Sequence, residues 1–169
     1  MRSGKSDYKI IRVTPTLSTD AYAQGDVVFT ATEIADAVIG LGGCSKLIRA
    51  YVIDKSDNSD NITFVFSEGN TALGTINATA DISDADLIAN NICGISKIAA
   101  SGATSGAFID NSRILEMLPA SLTGENNDNL MLLQAANDST SVFVQGVLIS
   151  STTPTYADGD LQLILHLEK

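Results

Sequence analysis

The chain has 169 residues, a formal net charge of −10, 44% hydrophobic residues and no Trp, so its length fits one domain with a core built from Ile, Leu, Val and Ala. The acid excess repels a phosphate backbone, which argues against nucleic acid as a partner. No run approaches the roughly 18 apolar residues that span a bilayer and no apolar leader follows Met1, so no membrane partner is expected and the chain reads as a protein of solution.

Charge is uneven at the start, where Arg2, Lys5, Lys9 and Arg12 face the single Asp7. Residues 1–7 are read as a flexible basic arm, and the four cations as the candidate contact with a partner. Residues 8–169 then form a single β-sandwich domain. Tyr8 to Val13 is rich in β-branched residues and stops at Thr14-Pro15-Thr16, which predicts a first strand. Gly25-Asp26 precedes the apolar run Val27 to Thr30, a second strand.

The stretch TEIADAV at 32–38 predicts a helical turn, closed by Gly40, Gly42 and Gly43. In SKLIRAYVI at 45–53, alternation places Leu47, Arg49, Tyr51 and Ile53 on one face and Ile48, Ala50 and Val52 on the other. The polar run DKSDNSDN at 54–61 reads as a turn into Ile62, Phe64 and Phe66, which share a face, so the two strands are expected to form a hairpin.

Ser83 with Asp86 three residues on is a capping-box start for a short helix, and ISKI at 95–98 is the next strand candidate. Residues 99–106 read as a loop of small side chains, and periodicity does not decide between strand and irregular chain at 114–118. Asn137 to Thr140 are turn residues between two apolar runs, which predicts a second hairpin. At the C-terminus Leu161, Leu163, Leu165 and Leu167 alternate with Gln162, Ile164, His166 and Glu168, a strand with an unambiguous core face.

About eight short strands separated by turns give an all-β class, a jelly-roll-like β-sandwich with one or two helical turns. The chain also echoes itself. Thr14-Pro15-Thr16 leads through Tyr22 to Gly25-Asp26, and Thr153-Pro154-Thr155 leads through Tyr156 to Gly159-Asp160, which suggests two equivalent corners.

Chemistry-bearing motifs are sparse. Gly4-Lys5-Ser6 lacks the upstream glycine and strand of a phosphate-binding loop. His166 is the only histidine and sits in an alternating strand, where it reads as a face residue rather than a base. Asp54, Asp57 and Asp60 lack the glycine and terminal Glu of an EF-hand and read as a solvated turn. Asp81, Asp84 and Asp86 read as the acidic start of the helix. Cys44 and Cys93 have no metal spacing and read as buried reduced thiols. The expectation is therefore a non-enzyme with no cofactor and no metal.

The segments 13–29 (VTPTLSTDAYAQGDVVF), 32–34 (TEI), 64–86 (FVFSEGNTALGTINATADISDAD) and 141–165 (SVFVQGVLISSTTPTYADGDLQLIL) together resemble small virion structural proteins of tailed bacteriophages. The resemblance implies a protein made in the host cytoplasm and carried on the capsid surface. There it would decorate or cement the shell as a dimer or trimer bound to the major capsid protein, and the basic arm would grip a neighbouring subunit. A β domain of a tail or fibre that binds host glycans is the alternative, for which the usual anchor is an exposed aromatic side chain.

Overall fold

The computed structural model describes residues 7–58, 60–98, 106–119 and 131–169. Arg2 and Lys5, half of the expected basic contact, lie outside them. Eleven strands and one short helix are found among the described residues. They are β1 (Tyr8–Val13), β2 (Val27–Ile34), β3 (Cys44–Asp54), β4 (Ile62–Ser67), α1 (Asp84–Ala89), β5 (Ile92–Ile98), β6 (Gly106–Ile109), β7 (Ser112–Glu116), β8 (Leu118–Pro119), β9 (Met131–Gln134), β10 (Val142–Leu148) and β11 (Leu161–Glu168).

The strands make two antiparallel sheets. The first runs β1-β11-β3-β7-β6, with β9 beside the start of β3; the second runs β2-β10-β4-β5-β8. Their inner faces supply one core. From β11 come Leu161, Leu163, Leu165 and Leu167; opposite them stand Ile62, Phe64 and Phe66 of β4 and Val142, Val144 and Leu148 of β10, all essentially without exposure. Each fully buried side chain of this size contributes about 1.5–3 kcal/mol relative to exposure, so the alternation seen in β11 and β4 is sufficient to orient both strands. The all-β sandwich expected from the sequence is the architecture found.

Chain connectivity departs from the sequence reading. β3 pairs with β11, β7 and β9, whereas β4 pairs with β10 and β5. The expected hairpin between them does not form, because residues 54–61 carry the chain from one sheet to the other. The second expected hairpin fails in the same way: β9 belongs to the first sheet and β10 to the second. Turn chemistry marks a reversal of direction, and a crossing between stacked sheets needs a reversal as much as a hairpin does. A true hairpin joins β6 to β7 across Asp110, which has φ +57°, and its second strand takes in Ile114 and Leu115, which periodicity left undecided.

Three local expectations are corrected. Thr32 to Ile34 complete β2, with Ile34 opposite Val142, instead of starting a helical turn. Leu47 joins Ala50 and Val52 in the core, because the register with β11 shifts between His166 and Leu167 and a β-bulge at Ile48 moves Leu47 to the other face. Cys44 is exposed and Cys93 half-buried, so neither is the buried thiol expected. The helix forms where Ser83 predicts it, and the Ser83 hydroxyl accepts from the Asp86 amide at 3.2 Å.

Candidate functional site

The two corners echoed in the sequence come together in space. At each, an aspartate closes its own turn: Ala23 N donates to Asp26 Oδ2 at 2.7 Å, and Ala157 N to Asp160 Oδ2 at 2.7 Å. The reverse bonds, Asp26 N to the Ala23 carbonyl and Asp160 N to the Ala157 carbonyl, are both 3.1 Å. Gly25 (φ +92°) and Gly159 (φ +82°) hold the left-handed position that an L side chain resists. One corner leads from the first sheet into β2 of the second, and the other from the second sheet into β11 of the first.

Tyr22 is buried there; its hydroxyl accepts from Ser18 N at 2.7 Å and donates to the Val28 carbonyl at 3.1 Å, while its amide donates to the Pro154 carbonyl at 2.9 Å. Tyr156 is also buried; its hydroxyl lies close to the buried Asp60, but neither it nor Asp60 Oδ2 makes a hydrogen bond of good geometry. Burial raises the Tyr156 pKa well above the ordinary phenol value, and the charges of Asp54 and Asp60 raise it further. Burial likewise raises that of Tyr22, against the Ser18 amide, which lowers it.

The aspartate run 54–60 is thus not the solvated turn expected. Asp54 and Asp60 are 2% exposed; Asp54 accepts from the Ser56 amide at 2.9 Å, and Asp60 from the Thr152 hydroxyl. Asp57 pairs with Arg113. Buried carboxylates are held by neighbouring donors because an unpaired one would cost several kcal/mol. Among the described residues, no three His, Cys, Asp or Glu side chains converge as a metal set.

The remaining candidates are dispersed. Lys9 and Arg12 lie in edge strand β1, Lys9 paired with Asp36 at 3.5 Å. Lys169 Nζ reaches the Asp36 carbonyl, and its pKa is lowered by burial first and then by the Lys9 charge. His166 sits on the outer face of the first sheet, its ring edge-on to Tyr51 at 5.7 Å. Cys93 Sγ accepts from the Gln134 amide at 3.5 Å, and burial pushes this thiol up. The acidic residues Asp84 and Asp86 occupy the first turn of α1, as expected.

The outer faces of the two sheets differ. On the second, Gln145 of β10 is fully buried beneath the segment that follows β4: its Oε1 accepts from Leu73 N and its Nε2 donates to the Thr71 carbonyl, both at 2.9 Å. Asn90 fixes the same segment through both Thr71 backbone groups, and residues 76–79 bridge the free edge of β2. On the first sheet, the outward side chains of β1, β11, β3 and β7 remain exposed or half-buried, among them Tyr8 (68%) and Ile10 (50%). Alternation in the sequence shows the outward residues of β11, but not all those of β3 and β7, and only strand order makes them one surface.

No protein-family model matches the chain, and neither a curated protein nor a solved structure resembles it beyond chance.

Proposed function

We propose that the chain is a structural virion protein of jelly-roll type that decorates and stabilises a tailed-bacteriophage capsid by binding the major capsid protein lattice. The observation that carries this reading is strand order. The path β1-β11-β3-β7 stacked on β2-β10-β4-β5 supports a double Greek key reading, an arrangement common in viral shells. Fold alone does not fix function, and the resemblance of four sequence segments to phage virion proteins supplies the second support. A broad sheet face of mixed apolar and polar side chains suits binding by shape to a repeating lattice, where many weak contacts add. Lys9 and Arg12 on edge strand β1 are the described part of the proposed capsid contact.

Glycan recognition is the less favoured reading, since Tyr22 and Tyr156 are interior and Tyr51 is half-buried against His166, which leaves Tyr8 as the one exposed tyrosine. Co-sedimentation of the purified protein with assembled and expanded phage shells tests the proposal. Saturable binding at a stoichiometry set by shell symmetry is expected; free protein left in the supernatant at every concentration would reject it.

A further inference from the structure

The open face of the first sheet has an order to its charges that the strand register makes visible. One transverse row reads Arg12, Ile164, Tyr51, Glu116 across β1, β11, β3 and β7. A second row, nearer the end of β11, reads Tyr8, Glu168, Lys46, Leu132 across β1, β11, β3 and β9. In the first row a cation and a carboxylate flank Ile164 and the Tyr51 ring. In the second, two apolar residues flank a carboxylate and a cation, and Lys46 and Glu168 are 3.4 Å apart. Both rows are therefore antisymmetric in charge about the line between β11 and β3.

We propose that this face is the interface of a two-fold symmetric dimer of the chain, with the axis in the plane of the face, parallel to the strands and between β11 and β3. Such a rotation keeps each row in place and exchanges β1 with β7 and β11 with β3. Arg12 then meets Glu116 of the second copy, and Ile164 meets Tyr51. In the other row Tyr8 meets Leu132, and the Lys46–Glu168 pair meets its own copy with signs alternating. Every charge in the two rows faces its opposite, and in the row between them, Ile10, His166 and Arg49, Arg49 meets the His166 ring of the second copy. The strands of the two copies stay aligned, the arrangement in which twisted sheets pack face to face.

The second copy is the occupant that the charges favour. The face carries Arg12, Lys46 and Arg49 against Glu116 and Glu168, so the acid excess of a chain with net charge −10 lies elsewhere, and two copies approach here without the repulsion they meet on other sides. The opposite face of the sandwich is closed to a partner in its centre by the segment bound to Gln145. This inference gives a surface to the homo-oligomer within the proposed function and rests on that part of it, not on the shell.

Sedimentation velocity of the full chain without shells, across the micromolar range, tests the inference. The wild type is expected to dimerise reversibly. Arg12→Glu, which places like charges together twice per dimer, should weaken association about tenfold or more. Glu116→Arg should weaken it similarly from the other side of the face, and the double variant Arg12→Glu with Glu116→Arg should return to within about threefold of wild type. A monomer throughout the range, a trimer, a dimer indifferent to both single reversals, or a double variant that folds but fails to recover would each overturn the two-fold register. Because shells are absent, loss of shell binding in the co-sedimentation assay is a separate outcome.

Discussion

The rings of Tyr22 and Tyr156 pack edge to face, with centroids 5.9 Å apart and planes at 66°, and so join two turns that lie more than 130 residues apart in the chain. Each tyrosine belongs to a corner where the chain changes sheet, and the corners share their aspartate-closed turn and left-handed glycine. The pair thus fixes β2 and β11, in different sheets, relative to one another. Edge-to-face aromatic contacts contribute about 0.5–1.5 kcal/mol beyond area burial.

The two hydroxyls should respond unequally to removal. Tyr22→Phe leaves the Ser18 amide and the Val28 carbonyl without their partner and is expected to destabilise by about 1–3 kcal/mol. Tyr156→Phe removes a buried hydroxyl whose polar neighbour, Asp60, is not in good hydrogen-bond geometry, and should cost well below the Tyr22 change. Urea unfolding of both variants decides the matter, and an equal loss in the two would contradict the assignment.

Alkaline stability follows from the same pair. Both folded-state pKa values are raised, so the stability linked to them is complete below the unfolded phenol value, about 10, and is lost as pH rises beyond it. Unfolding free energy should fall more steeply above that pH in the wild type than in Tyr22→Phe/Tyr156→Phe. Parallel slopes between pH 9 and 11, in the range where free phenols ionise, would rule this out.

Two glycines within strands should differ in tolerance. A Cβ on Gly146 of β10 would overlap the Phe29 ring at Cε1 and lie 2.9 Å from Cδ1, and Phe29 has no exposed surface into which to move. Gly146→Ala is expected to cost about 1–3 kcal/mol through overpacking. The nearest atoms to a Cβ on Gly94 of β5 belong to the Met131 side chain, at 3.1 Å, and that flexible chain can turn aside, so Gly94→Ala should cost below about 1 kcal/mol. Thermal unfolding of the two variants provides the comparison.

The thiols should separate kinetically. Cys44 is exposed, while Cys93 is half-buried, with burial raising its pKa and the Gln134 amide donating to its sulfur. A disulfide reagent at mildly alkaline pH is expected to consume one thiol rapidly and the second at least about tenfold more slowly, since the thiolate is the reacting species. Cys44→Ser should abolish the fast phase; its persistence would reverse the assignment.

Much of the fold was legible in the sequence where one physical rule acts locally. The alternation of Leu161 to Leu167 and of Ile62 to Phe66 states which side of each strand is buried, and the Ser83 hydroxyl three residues before Asp86 marks a helix start. The repeated Thr-Pro-Thr, Tyr and Gly-Asp elements likewise marked two corners, because a left-handed glycine and a turn-closing aspartate are local requirements.

Sequence alone thus determined the strand class, the inward side chains of the regular strands and the acidic, cation-poor character of the chain. Tertiary structure decided which strands are neighbours. Residues 54–61 and 137–140 have turn chemistry that serves a hairpin and a sheet crossing equally, and the choice depends on burying Phe64, Phe66 and Val144 against the leucines of β11. It also decided the fate of polar groups: Asp60 and Tyr156 are polar by type, yet sheet stacking buries both. The row Arg12, Ile164, Tyr51, Glu116 exists only through pairing between strands distant in the chain, and hydrogen-bond register, not residue type, sets which charges stand side by side.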